Sequence, residues 1–245
     1  MKIVLVSDTH GLHKSVRIPE GDLLIHAGDL TNTGERAQLE LTASWLHSLP
    51  HQHKVAIAGN HDWVFERLPG VGRRILEDAG VAYLQDTEVN IAGLQIYGSP
   101  WQPAFMNWAF NVPRGGLAQY WDLVPIGLDV LITHGPPYGI LDQSIPAATK
   151  RSFPWEDEEP FAGSDHVGCE QLLAAIERSK PRVHVFGHIH GGYGRTANRD
   201  TSFYNASLCN ERYDPINQPW VIDLGARPLT TAQSSPAPGG SGSPS

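Results

Sequence analysis

Short apolar runs rich in β-branched residues recur along the chain, and each stops at a polar or glycine-containing junction. The runs at 3–6, 23–25, 55–58, 131–133 and 183–186 have the length and composition of buried strands. Extending the same reading predicts strands at 2–7, 22–26, 54–58, 81–84, 88–91, 94–98, 128–133, 182–187, 192–197, 201–206 and 219–223. Helical spacing replaces this pattern in three places. Leu39, Leu41, Trp45, Leu46 and Leu49 predict a helix over 34–48 that stops at Pro50. A second is expected at 71–79, and Val167, Leu172, Leu173 and Ile176 predict a third over 167–179 that ends before Pro181. Strands alternate with helices early and follow one another late, which implies two packed sheets flanked by helices rather than one doubly wound sheet.

The polar junctions carry the chemistry. They are Asp8-Thr9-His10, Gly28-Asp29, Gly59-Asn60-His61-Asp62, His134-Gly135 and Gly187-His188-Ile189-His190, each at the end of a predicted strand. Residues two apart on a strand end point the same way, so Asp8 and His10 can reach one ion, as can His188 and His190. A pair of metals needs a bridging carboxylate, and Asp29, behind a glycine that lets the backbone come close, is the candidate. Asn60 adds an oxygen and His134 a nitrogen. This oxygen and imidazole set favours two divalent ions drawn from Mn, Fe or Zn over soft metals.

Two such ions, opposed by Asp8, Asp29 and a bridging hydroxide, leave about one net positive charge, which suits a phosphate ester. The hydroxide is the expected nucleophile. His61 is expected to protonate the leaving group as a general acid, with Asp62 orienting its imidazole. Around it, an aromatic stretch at 99–122 with Trp101, Trp108 and Phe110 forms an ordered loop that could wall the pocket and stack a base, or simply pin itself by burying its rings. Trp101, Ser99 and Arg114 are the candidate substrate contacts. His26 and His184 read as strand residues without chemistry, and the sequence does not decide the role of His166.

Composition narrows the partners. The 245 residues suffice for one large α/β domain, and the formal charge of −8 argues against general binding of nucleic-acid backbones. No apolar run reaches the length of a membrane span, the amino terminus reads as a strand rather than a signal peptide, and the two cysteines, Cys169 and Cys209, read as buried thiols. A reducing cytoplasmic setting is expected. The acidic run at 156–159 reads as a solvated loop tip, and residues 227–245, dominated by Ser, Pro, Gly, Thr and Ala, as a flexible tail.

The five junctions in this order resemble the calcineurin-like metallophosphoesterase superfamily. Within it the chain is similar to the metallophosphoesterase-domain-containing group, through Ile18-Pro19-Glu20-Gly21-Asp22, His26-Ala27-Gly28-Asp29, Gly98-Ser99-Pro100-Trp101, Thr133-His134-Gly135-Pro136-Pro137 and Gly187-His188-Ile189-His190 among others. The resemblance implies an α/β fold, a four-layer α/β/β/α sandwich of two mixed sheets, over a single domain at 1–226. It further implies that Asp8, His10, Asp29 and His190 hold one ion, that Asp29, Asn60, His134 and His188 hold the other, and that His61 is the acid. The implied activity is hydrolysis of small phosphodiesters, cyclic nucleotides among them. The alternatives are a phosphomonoesterase or protein phosphatase using the same site, and a nucleotide-binding scaffold with a relict one.

Overall fold

Strand β1, Lys2–Val6, is buried on both faces along Ile3, Val4, Leu5 and Val6, and this forces it to the centre of a sheet. In the computed structural model, which describes residues 1–144 and 166–226, it pairs in parallel with β2 (Leu23–His26). β3 (His53–Ala56) and β4 (Ala82–Tyr83) follow in parallel, and β13 (Trp220–Asp223) runs antiparallel on the other side of β1. The second sheet has the order β11 (Gly194–Ala197), β12 (Ser202–Asn205), β10 (Val183–Phe186), β9 (Val130–Thr133), β6 (Leu94–Ser99) and β5 (Thr87–Ile91). Its four central strands are parallel, and its two edges are antiparallel.

The sheets pack face to face through Ile3, Leu5, Leu23, Ile25 and Ile57 from one and Ile96, Val130, Ile132, Val183 and Val185 from the other. On the first sheet's outer face, Val4, Val6 and Leu24 pack on α1 (Arg36–Ser48) and α3 (Pro69–Asp78) through Leu39, Leu46 and Leu76. On the second sheet's outer face, Leu131, Phe186 and Phe203 pack on α4 (Ala118–Trp121) and α5 (Glu170–Ser179) through Trp121, Leu172 and Ile176. Two mixed sheets between helical layers are the expected α/β/β/α sandwich.

Boundaries differ from the sequence reading where side chains override periodicity. α5 starts at Glu170 rather than 167 because Cys169 is extended and its Sγ accepts the Leu172 N–H at 3.4 Å. α3 opens earlier, with Pro69 in its first turn, and the five-residue α2 (Trp63–Arg67) is too short to carry a periodic signal. The aromatic loop contains the two-residue strands β7 (Gln102–Pro103) and β8 (Asn111–Val112), which pair with each other. The acidic run at 156–159 and the expected tail at 227–245 lie outside the described residues. No helix among the described residues is long and apolar enough to cross a membrane, and both cysteines are free and buried.

Two fully buried histidines interrupt the apolar strands, and each supports a neighbouring loop. His26 Nε2 lies 3.0 Å from Thr9 Oγ1, and His184 Nε2 lies 2.8 Å from Thr133 Oγ1, whose hydroxyl donates to the Gly135 carbonyl at 2.7 Å. Burial holds both imidazoles neutral, lowering His26 to about 4 and His184 to about 3. Between those values and the ordinary 6.5 the unfolded chain binds protons that the folded chain refuses, so stability falls as pH falls below 6.5. These two groups by themselves contribute a loss of roughly 2–3 kcal/mol per pH unit near pH 5. Urea midpoints of chelator-treated protein at pH 7.5 and 5.0 test this, and equal midpoints would refute it.

Candidate metal centre

The C-terminal ends of β1, β2, β3, β9 and β10 meet at one edge of the sandwich. There the sheets are joined where Ser7 N–H donates to the Ala206 carbonyl at 2.8 Å and Leu208 N–H donates to the Ser7 carbonyl at 2.9 Å. The chain must turn sharply here, and four non-glycine residues do so in left-handed conformations: Asp8 (φ 54°), His10 (φ 44°), Asp29 (φ 55°) and His188 (φ 66°). Such backbone is costly for residues with a Cβ and collects at functional sites. Gly28, at φ 102°, is required sterically, since a Cβ there would lie 2.5 Å from His134 Nδ1.

All seven residues expected as ligands converge. Asp8 Oδ1 lies 3.3 Å from His190 Nε2 and 3.8 Å from His10 Nε2. Asp29 Oδ2 lies between the two halves, 3.7 Å from His10 Nε2 and 3.4 Å from His134 Nε2, while its Oδ1 accepts the His61 N–H at 2.8 Å. Asn60 Oδ1 is 2.8 Å from His134 Nε2 and 2.9 Å from His188 Nδ1. Asp8, His10 and Asp29 are buried, as are Asn60 and His134.

The donor set fits metal ions. His134 Nδ1 is 3.0 Å from the Ala27 carbonyl and His190 Nδ1 is 2.9 Å from the Asn210 carbonyl, so each Nδ1 carries its hydrogen. In the neutral rings both Nε2 atoms are then lone pairs, turned toward the oxygens of Asp29 and Asn60 in one case and toward the Asp8 carboxylate in the other. Acceptors facing acceptors in a buried site require a cation between them, either a proton or a metal.

The proton alternative shows in the titration behaviour. Burial opposes charge at every group, yet the Asp29 and Asp8 carboxylates outweigh it at His134 and raise that imidazole to about 9. His190 is also raised, through Asp8. In return His190 and His134 hold Asp8 well below the ordinary carboxylate range, and His134 and His61 do the same for Asp29. His10 and His188 are lowered to about 3, mainly by burial, and so offer lone pairs at neutral pH.

His61 is held beside this cluster. Its Nδ1 donates to the Asn32 carbonyl at 2.6 Å, its ring stacks on Trp108 with centroids 4.2 Å apart, and its centroid is 4.6 Å from that of His10. Asp62 does not orient it, contrary to the sequence expectation. Asp62 Oδ1 accepts from Thr31 N–H (2.9 Å) and Thr31 Oγ1 (2.7 Å), and Oδ2 from Leu30 N–H (3.1 Å) and Gly59 N–H (2.9 Å). Asp62 therefore fastens the β2 and β3 loops together.

The three expected substrate contacts are committed elsewhere. Ser99 Oγ and Trp101 Nε1 donate to the two oxygens of Asp86, each at 2.8 Å, and Trp101 stacks on Tyr120. Arg114 donates to the Gly168 and Val167 carbonyls and pairs with Glu170 at 2.7 Å. The aromatic walls at the site are Trp108 and Tyr213. Tyr213 sits in a polar turn between β12 and β13 where no periodicity marks it. His166 pairs with the buried Asp142 at 2.6 Å and so has a structural partner.

A sandwich with histidine, aspartate and asparagine side chains gathered at the ends of its parallel strands has the architecture of a metal-dependent phosphoesterase. The chain belongs to the calcineurin-like phosphoesterase family, whose family model matches residues 1–192. It is 42% identical over 246 residues to metallophosphoesterase domain-containing protein 1 of Homo sapiens, covering 91% of this chain and 71% of that protein. The Mus musculus protein of the same name matches with the same identity and coverage. Among solved structures, the phosphopantetheinyl hydrolase PptH of Mycobacterium tuberculosis superposes with a TM-score of 0.57 over 96% of this chain and 98% of that one, at 15% identity, a likeness of fold alone.

His134 at about 9 must give up a proton before a metal can take its Nε2. Apparent metal affinity should therefore rise with pH up to about 9, roughly tenfold per unit for each proton displaced. Titration calorimetry in buffers of different ionisation enthalpy should register proton release at pH 7. Uptake with no released proton would exclude His134 as a ligand.

Proposed function

We propose that this chain is a dinuclear metal-dependent phosphodiesterase that hydrolyses small phosphodiesters, cyclic nucleotides being candidate substrates. Asp8, His10, Asp29 and His190 hold one divalent ion and Asp29, Asn60, His134 and His188 the other. The observation that carries the reading is the placement of Asp29 Oδ2 between His10 and His134, where one carboxylate can serve both ions. When bound, the ions supply Lewis acidity toward phosphoryl oxygens and bring the pKa of coordinated water toward neutrality. Mn, Fe and Zn suit the donors.

With its Nδ1–H tied to Asn32, His61 presents Nε2 as the group that gives a proton to the leaving oxygen. Trp108, stacked on the same ring, fixes its plane. The diester preference is supported by charge. Arg114 is bound to the 167–170 segment, so the balance at the centre rests on the ions and two carboxylates, which favours a singly charged diester over a dianionic monoester. The two unpaired thiols support a reducing cytoplasmic setting.

His61→Ala should keep both metals and lower kcat by about 10²-fold or more on alkyl diesters. On nitrophenyl esters, whose leaving group needs little protonation, the loss should be much smaller. Undiminished alkyl diester turnover would remove His61 as the acid, and a higher kcat/KM for monoesters than for the matched diesters would overturn the diester assignment.

A further inference from the structure

Tyr213 is built into the metal centre without being one of its ligands. Its ring centroid lies 4.8 Å from that of His10, 5.1 Å from His190 and 6.1 Å from His61, edge to face in each case. It therefore borders both the Asp8 half of the centre and the proposed acid. The residue is 43% exposed, so the ring forms part of the mouth, and its hydroxyl has no hydrogen-bond partner among the described residues.

The backbone that presents it is strained and locked. Tyr213 adopts φ 62°, a conformation a bulky aromatic rarely takes, and Asn210 enforces it. The Asn210 carbonyl accepts Tyr213 N–H at 2.9 Å, while its Oδ1 accepts Arg212 N–H at 2.8 Å and Asp214 N–H at 2.9 Å. That same carbonyl accepts the His190 Nδ1–H at 2.9 Å. One residue thus fixes a site imidazole and the tyrosine beside it in a single register.

A phosphoester at the centre presents oxygens that need donors, and the side chains expected to supply them, Ser99 and Arg114, are spent on Asp86 and on the 167–170 segment. We propose that the Tyr213 hydroxyl donates a hydrogen bond to a phosphoryl oxygen of the bound ester, which makes Tyr213 a substrate-binding residue on the His10 and His190 side. This rests on the phosphoesterase reading of the centre, but its test does not require turnover.

The test compares metal-loaded wild type and Tyr213→Phe, which keeps the ring and its three imidazole contacts and removes only the hydroxyl. Inorganic phosphate is the probe, titrated calorimetrically, with metal content and Tm measured alongside. Loss of one hydrogen bond to a charged oxygen predicts about ten- to a hundredfold weaker phosphate binding, with metal content and Tm unchanged. In turnover the same loss should fall mainly on KM, because the bond is present in ground and transition states alike. Equal phosphate affinity in the two proteins would overturn the proposal, as would loss of metal from the Phe variant, which would make Tyr213 a positioning residue for its histidine neighbours. If wild type turns over no phosphoester while Tyr213→Phe still weakens phosphate binding, the Tyr213 assignment stands and the phosphodiesterase reading fails.

Discussion

The site rests on two buried carboxylates, Asp8 and Asp29, facing the imidazoles of His190 and His134, whose other nitrogens are tied to backbone carbonyls. A buried anion is costly unless something positive stands against it, and here the choice is between protonated histidine and a metal ion. The raised titration of His134 and His190 and the lowered titration of Asp8 and Asp29 describe one fact from two sides. The chain has assembled a place for positive charge within a protein of net charge −8. A histidine that binds a proton at pH 7 with such a partner yields it to a metal only because a divalent ion neutralises more of the same field.

Holding that geometry requires left-handed backbone at Asp8, His10, Asp29 and His188, at a cost of order 1–3 kcal/mol each. The surroundings over-determine it. Asp62 gathers four donors from the β2 and β3 loops, and the His26 and His184 contacts with Thr9 and Thr133 brace the residues next to Asp8 and His134. Asn210 does the same at His190 and Tyr213. Asp62, His26 and His184 are fully buried, and all of these groups are spent on loops rather than on chemistry, which is how a packed interior tolerates irregular turns.

The junctions that gather the candidate ligands stand out in the sequence because each is local: a short apolar run, a glycine or polar residue, then a donor. Strand alternation and helix spacing gave the sandwich for the same reason. What was not legible depends on pairings across the chain. Asp62 follows His61 directly, yet its partners are Leu30 and Thr31 as well as the nearby Gly59. Ser99 and Trp101 look available until Asp86 turns both inward, and Arg114 looks free until α5's entry closes on it. Tyr213 carries no periodic or motif signal, since its placement comes from a turn wound around Asn210. Adjacency in sequence suggested function for Asp62 and the loop residues, whereas the hydrogen-bond partners assign them to structure.

The two sheets contribute unequal halves of one centre: Asp8, His10, Asp29 and Asn60 come from the first, and His134, His188 and His190 from the second. The core between the sheets is aliphatic, and apolar contact is non-directional, so it holds them together without fixing their offset to the fraction of an ångström that coordination demands. That offset is set by directional bonds that cross between the sheets at the site edge. The His188 N–H meets the Asp8 carboxylate at 3.1–3.2 Å, His134 Nδ1 reaches the Ala27 carbonyl, and Ser7 bonds to Ala206 and Leu208. Each of these crossings involves an expected ligand or a residue within two positions of one. Alignment of the sheets and formation of the site are therefore one structural event, and a metal spanning the halves would stabilise the sandwich by the same bonds that prepare it for the substrate.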